Sequence, residues 1–247
     1  MEEEMIAGKH SVLEALRSGR TINKIWIAEN AQKHNSLPVL AEAKAAGVIV
    51  QTADKRKLDQ MAEGVQHQGV VAQVAAYAYA EVDDLIARAK AKGEQPFLLL
   101  LDEIEDPHNL GSILRTAECT GVHGIIIPKR RAVGLTATVS KTSAGAVEYV
   151  PVARVTNLAQ TIEDLKEQGV WIAGADVGTE QELYRNDFTI PIAIVIGNEG
   201  RGIGRLIKQK CDFLVKLPMF GQLNSLNASV AASVFMYEVV RQRHAKR

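Results

Sequence analysis

Cysteine is nearly absent. Cys119 and Cys211 are the only two in 247 residues, too few for a disulfide framework or a zinc cluster. Both sit among apolar neighbours and read as reduced core residues. No apolar run approaches the ~20 residues of a membrane-spanning helix. The Met-Glu-Glu-Glu start has neither the basic nor the apolar stretch of a secretion signal. The expectation is a cytoplasmic protein with no membrane partner. No His/Cys/carboxylate spacing suggests a metal site, and there is no low-complexity tract or internal repeat. Net charge is missing too, since Lys+Arg and Asp+Glu both number 29. That balance argues against coating nucleic acid non-specifically, but it leaves room for local basic surfaces. Basic residues do cluster, at Lys129-Arg130-Arg131, at Arg201 and Arg205, and at Arg241, Arg243, Lys246 and Arg247. Each cluster reads either as a solvated face or as part of a surface for a polyanion.

What is present is an ordinary soluble composition, 47% hydrophobic and 23% charged. Helix and strand patterns alternate from the start. Helices are expected over Lys9–Arg17, Ser36–Ala46 and Asp54–Ala62, and strands over Lys24–Ala28, Val48–Val50 and Gly69–Ala75. They make a small α/β unit over residues 1–76. A linker and a charged leading helix follow at 77–93. The remainder, 94–247, opens with Phe97-Leu-Leu-Leu-Leu101, an unbroken apolar run suited to a parallel sheet covered on both faces. Further strands are expected at Gly124–Ile127, Tyr149–Ala153, Val170–Ala175, Ile192–Ile196 and Phe213–Leu217, with helices between most of them. The fold class is therefore α/β with an open sheet, whose ligands sit beyond the carboxyl ends of the strands.

That rule selects three loops. After Leu101, Asn109 marks a helix start, and Leu110, Ile113, Leu114 and Ala117 share its buried face. Arg115 stands beside that face, with a guanidinium fork suited to phosphate; His108 reads as a partly exposed loop residue. After Ile196 comes Gly197-Asn-Glu-Gly-Arg-Gly-Ile203. It lacks the G-x-G-x-x-G spacing of a dinucleotide loop and the Gly-Lys-Ser/Thr of a phosphate loop, yet its glycines let backbone approach a flat or charged ligand. After Leu217, a Pro-Met-Phe-Gly turn leads to Asn224, Ser225 and Asn227, which cluster where a helix must begin. The small residues Ala228, Ser229, Ala232 and Ser233 in that helix allow another backbone to come close.

Asn109-x-Gly111-x-Ile113-x-Arg115, Gly197-Asn-Glu-Gly200, and Leu217-Pro-Met with Ser225-Leu-Asn227-x-Ser-x-Ala231-Ala resemble, in order and spacing, the three motifs of the SpoU (TrmH) ribose methyltransferases. Ser143-Ala-Gly-Ala146 matches a softer element. Gly8-x-x-x-Val12-x-x-Ala15-Leu16 and His67-Gln-Gly-Val70 resemble that family's substrate-binding domain. The resemblance covers nearly the whole chain and is greatest to the members that methylate a guanosine 2′-hydroxyl in 23S ribosomal RNA. It implies a SPOUT catalytic domain with a trefoil knot, a smaller L30e-like N-terminal domain that chooses the RNA, a homodimer, and S-adenosyl-L-methionine as cofactor. Ile196, Gly197, Asn198, Leu217, Met219 and Leu226 would hold the cofactor. Asn109, Arg115, Glu199, Ser225 and Asn227 would line the reacting centre. Transfer RNA as substrate and a non-catalytic ribosome-assembly factor are the alternatives; an assembly factor would be expected to lack Arg115, Glu199 or Asn227. A dinucleotide oxidoreductase lacks its glycine motif here.

Overall fold

Packing divides the chain into two units, one running up to Ala78 and including Leu135–Tyr149, the other formed by Tyr79–Gly134 and the chain from Val150 onward. The structure, a computed structural model, describes residues 3–29 and 33–245; Lys246 and Arg247 of the last basic cluster lie outside them.

The first unit is built from β1 (Glu3–Ala7), α1 (Lys9–Arg17), β2 (Ile22–Ala28), α2 (Lys33–Ala45), β3 (Val50–Ala53), α3 (Lys55–Met61) and β4 (Val70–Ala75). Its sheet has the order β1-β4-β2-β3, antiparallel except for the β2–β3 pair. Alternation along β2 explains why both faces are covered. Ile25 and Ile27 pack with Val12, Val39 and Val74 on one side, while Trp26 packs with Leu58 and Val71 on the other. Asp54 caps α3 through the Lys57 amide at 2.9 Å.

Two expectations shift here. Strand β3 begins at Val50 rather than Val48, and Ile49 is exposed. The ladder with β2 is what defines the strand, and it pairs Ile25 through Ala28 with Val50 through Ala53. Strand β1 is not among the expected strands. Its partner, β4, is far away in sequence.

The second unit contains α4 (Val82–Ala91), β5 (Phe97–Leu101), α5 (Pro107–Cys119), β6 (Gly124–Pro128), β7 (Val152–Val155), α7 (Leu158–Glu167), β8 (Trp171–Ala175), β9 (Ile192–Ile196), α8 (Arg205–Lys210), β10 (Phe213–Val215) and α9 (Ala228–Ala245). Six parallel strands lie in the order β10-β8-β9-β5-β6-β7. Every residue of the central strands β5 and β9 is buried, as their unbroken apolar sequences require. One face carries α4 and α7, with Leu85, Ile162 and Leu165 packed on Leu98, Leu100 and Val195. Helices α5 and α9 pack together, joined by Thr116 and Ser233, whose hydroxyl oxygens are 3.0 Å apart.

Segment 135–149, including α6 (Ala137–Thr142), packs with the first unit. Tyr149 therefore belongs to this segment, and β7 starts only at Val152, later than expected. Glu148 is the anchor: it accepts from Arg20 at 3.0 Å and from the Tyr77 hydroxyl at 2.9 Å. The Tyr149 hydroxyl donates to Glu14 at 2.6 Å. Gly145, at φ 87°, is needed here because a Cβ would come within 2.4 Å of Glu14.

Candidate active site

Strands β5, β8, β9 and β10 run parallel, so the loops at their carboxyl ends meet on one side of the sheet. Asp106 caps α5, its carboxylate accepting from the His108 amide at 2.8 Å, with Pro107 at the first helical position. Asn109 is thus the third residue of the helix, not its cap, and it is buried with Leu110, Gly111, Ile113, Leu114 and Ala117. His108 is exposed on the first turn.

Glu199 draws the separate motifs together. Its Oε1 accepts from Asn109 Nδ2 at 2.9 Å, from Asn227 Nδ2, and from the Ala228 amide at 3.2 Å. Asn227 Nδ2 also donates to Asn109 Oδ1 at 3.0 Å. The carboxylate stands at the N-terminus of α9, where the helix dipole and free amides favour negative charge. Its second oxygen, Oε2, accepts no hydrogen bond from the described residues. Asn227 serves both readings of its position. Its Oδ1 caps α9 by accepting from the Ser229 amide at 2.9 Å, while its Nδ2 holds the site.

The loop after β9 is closed on itself. Asn198 and Gly202 exchange backbone hydrogen bonds at 3.1 and 2.8 Å. Asn198 Oδ1 accepts from the Gly200 amide at 2.9 Å, and its Nδ2 donates to the Glu103 carbonyl at 3.1 Å. A Cβ on Gly197 would lie 2.2 Å from the Gly202 carbonyl carbon. Glycine is required there by the loop's own backbone, a different reason from the close ligand approach expected from sequence. Buried Asp102 braces the next turn by accepting from the Gly204 amide at 2.7 Å. Burial raises the Asp102 pKa, the Gly204 bond opposing that rise.

Beside Glu199 opens a cleft of about 410 Å³, within the ~300–1,000 Å³ usual for small-molecule sites. Ile196, Gly197, Asn198, Leu217, Met219 and Leu226 all line it, so every residue expected to hold a cofactor faces one space. Glu199 and exposed Ser225 line it as well. Arg115 does not. It is six residues beyond Asn109, roughly 9 Å along the helix and on a different face, exposed and without a hydrogen-bond or ion-pair partner among the described residues.

Sequence reasoning missed the wall formed by Asp176, Val177 and Gly178 after β8. The Asp176 carboxylate accepts from the Gly178 amide at 2.7 Å and pairs with Lys208. The same strand-end rule reaches this loop once β8 is known to lie between β10 and β9, which the sequence does not say. Two side-chain expectations also change. Cys119 is exposed at the end of α5, not in the core; Cys211 is half-buried, and burial pushes its thiol up to about 12. In the last basic cluster, Arg243 donates to the carbonyls of Gln95, Pro96, Phe188 and Ile190, and Arg241 is paired with Glu238. Arg243 thereby serves the fold, while Arg241 remains exposed beside Glu238.

Residues 96–237 match the SpoU rRNA methylase family, and residues 5–80 match the family of RNA 2′-O ribose methyltransferase substrate-binding domains. The chain belongs to the SpoU (TrmH) family of RNA methyltransferases. The Bacillus subtilis protein YacO, placed among TrmH-family tRNA/rRNA methyltransferases, is 57% identical over 98% of this chain and 97% of its own length. The SpoU methyltransferase AviRb of Streptomyces viridochromogenes, solved with S-adenosylmethionine, superposes with a TM-score of 0.83. It is 24% identical, over 98% of this chain and 91% of AviRb. The TrmH/SpoU tRNA-modifying enzyme of A. aeolicus is 27% identical with a TM-score of 0.57, over 66% of this chain and 85% of its own. The SpoU architecture accounts for both units: the parallel sheet with its strand-end cleft, and the smaller L30e-like domain before it. Among the described residues no helix is long and apolar enough to cross a membrane, and no group of three or more His, Cys, Asp or Glu is placed to hold a metal ion.

Proposed function

We propose that this protein methylates the ribose 2′-hydroxyl of a guanosine in 23S ribosomal RNA, acting as a cytoplasmic homodimer. The observation that carries the chemistry is the carboxylate of Glu199, fixed through Oε1 by Asn109, Asn227 and the Ala228 amide beside the cleft. The cleft fits S-adenosylmethionine in size and in its mixture of apolar walls and backbone edges. The methyl group comes from that cofactor, whose sulfonium carbon is open to in-line displacement by a ribose oxygen. Ile196, Gly197, Asn198, Leu217, Met219 and Leu226 hold the adenosine portion. Glu199 Oε2 and Ser225 orient the ribose, and Asn109 and Asn227 hold the Glu199 carboxylate in place for it.

A ribose hydroxyl is a poor nucleophile until its proton leaves, and a guanidinium with a pKa above ~12 is a poor base. Arg115, which stands outside the cleft of its own protomer, is therefore assigned to gripping the phosphate next to the reacting ribose. Its exposure without an internal partner supports that role. Arg115→Ala and Arg115→Lys should both abolish turnover while cofactor affinity, read by titration calorimetry, stays near wild type; turnover retained in Arg115→Ala would remove Arg115 from the centre. The trefoil knot belongs to the same reading and is supported by the likeness to AviRb along almost the whole chain. A ribosomal substrate is favoured over transfer RNA by extent of match. The A. aeolicus tRNA-modifying enzyme superposes on only 66% of this chain, whereas this chain carries a substrate-binding unit over residues 5–80.

The deciding experiment incubates the protein and radiolabelled S-adenosylmethionine with protein-free RNA from a strain lacking it. Label in 23S RNA at a 2′-O-methylguanosine is the expected result. Label in transfer RNA would move the substrate, and no label on RNA or on assembling ribosomal subunits would remove the enzymatic reading.

A further inference from the structure

Two arginines from basic clusters that are far apart in the sequence converge on one carboxylate. Arg131 Nη1 lies 2.9 Å from Glu103 Oε1, and Arg201 Nη1 lies 3.6 Å from Glu103 Oε2. Both guanidiniums are open to solvent, with side chains 70% and 78% exposed. Exposed ion pairs contribute little to stability. The backbone here is costly, because Glu103 and Arg131 are both non-glycine residues at positive φ, 59° and 55°. The weak Arg131–Glu103 surface pair does not offset left-handed backbone at both of its ends, so folding alone does not account for that pair. Position adds to this. The Glu103 carbonyl accepts from Asn198 Nδ2 at 3.1 Å, and Asn198 lines the cleft and precedes Glu199. The patch therefore adjoins the reacting centre, at the carboxyl ends of β5, β6 and β9.

We infer that Glu103 gathers Arg131 and Arg201 into a binding site for one phosphate of the RNA backbone near the target nucleotide. A phosphodiester offers two non-bridging oxygens to the two guanidiniums in the way Glu103 offers its two carboxylate oxygens. In the free protein Glu103 keeps both side chains collected; in the complex the phosphate takes over their inner N–H groups. Arg131 and Arg201 are binding residues on this account, and Glu103 is a positioning residue. The inference rests on the RNA-methylating reading above and adds a defined contact to it.

The test measures binding of polyuridylic acid and of 23S RNA transcribed in vitro across a salt series, with full-length wild type, Arg131→Gln, Arg201→Gln, the double variant and Glu103→Gln. Each arginine variant should bind both probes more weakly, and the double variant, which loses the one phosphate contact, should show a slope of log K against log salt shallower by about 0.7 on the single-stranded probe. Glu103→Gln removes the competing charge and keeps the shape. It should bind RNA severalfold more tightly with an unchanged slope, and transfer methyl groups more slowly because the guanidiniums are no longer held. Melting temperature should stay at the wild-type value in all four, and cofactor affinity in Arg131→Gln and Glu103→Gln, which separates these effects from misfolding; Arg201 also lines the cofactor cleft. A double variant with wild-type affinity and slope, in a preparation whose wild type binds and methylates RNA, would overturn this site alone. A wild type that binds neither probe would overturn the functional reading and the site with it.

Discussion

The two ends of the parallel sheet treat their polar groups in opposite ways. At the amino end, hydrogen-bonding capacity is used inside the fold. Arg243 donates to four backbone carbonyls. His123 accepts the Phe97 amide on Nδ1 at 3.1 Å and meets Glu94 with Nε2 at 3.2 Å. Gln242 bonds Asn186, Phe188 and Glu238. At the carboxyl end the bonding is incomplete. Glu199 has one oxygen saturated and the other without a described donor; Ser225 is exposed, and Arg131 and Arg201 point most of their surface to solvent. Buried polar groups left unpaired are costly, so the incomplete end is mostly solvent-facing or lines the cleft. The first end holds the sheet together; the second keeps capacity for a ligand.

Substitutions at the two ends should therefore separate activity from stability. Among substitutions at the two ends the largest effect is expected for Glu199→Gln, which keeps the shape and loses the charge. Methyl transfer in a single turnover should fall by about 100- to 1,000-fold, while the urea midpoint moves little. A large midpoint shift with activity retained would break the contrast. Next comes Arg243→Ala, which strips four carbonyls of their donor and should cost about 2–4 kcal/mol in urea unfolding, with turnover per folded molecule unchanged. Gly197→Ala tests the join between rigidity and function. The new Cβ meets backbone, so a loss of about 1–3 kcal/mol should accompany weaker binding of S-adenosylmethionine in calorimetry.

The smallest effect is a pH dependence at the amino end. Burial lowers the His123 pKa, outweighing the opposing hydrogen bond and charge of Glu94. The unfolded chain then binds more protons than the fold between the lowered pKa and ~6.5. Stability should be complete above that window and fall as pH drops through it, because a protonated Nδ1 can no longer accept the Phe97 amide. Denaturation of His123→Gln between pH 5 and pH 8, about the range in which histidine titrates, should show a flatter profile than wild type.

Much of the second unit was legible in the sequence because its strands need no partner to be recognised. Phe97–Leu101 and Ile192–Ile196 are apolar throughout, and both were placed correctly to the residue. The edges were harder. Ile49, Tyr149 and Leu217 look like strand residues by composition, but they fall outside the ladders that define β3, β7 and β10. Cys119 sits among apolar residues in the chain yet faces out, because a helix exposes whatever its period carries to the far side. The site motifs were legible as three polar loops at strand ends. Their meeting at a single oxygen of Glu199 was not.

The sequence by itself determined the α/β alternation, the buried central strands, and the residue types available to the cleft, since periodicity and apolar runs are local properties. Tertiary structure alone decided that β8 lies next to β9, which brings Asp176 into the cleft wall. It also moved segment 135–149 into the first unit, left Arg115 outside the Glu199 cluster, and turned Gly197 into a requirement of its own loop. Each of these depends on atoms distant in the chain or on backbone closure, and neither strand order nor contact distance is encoded in a local pattern of side chains.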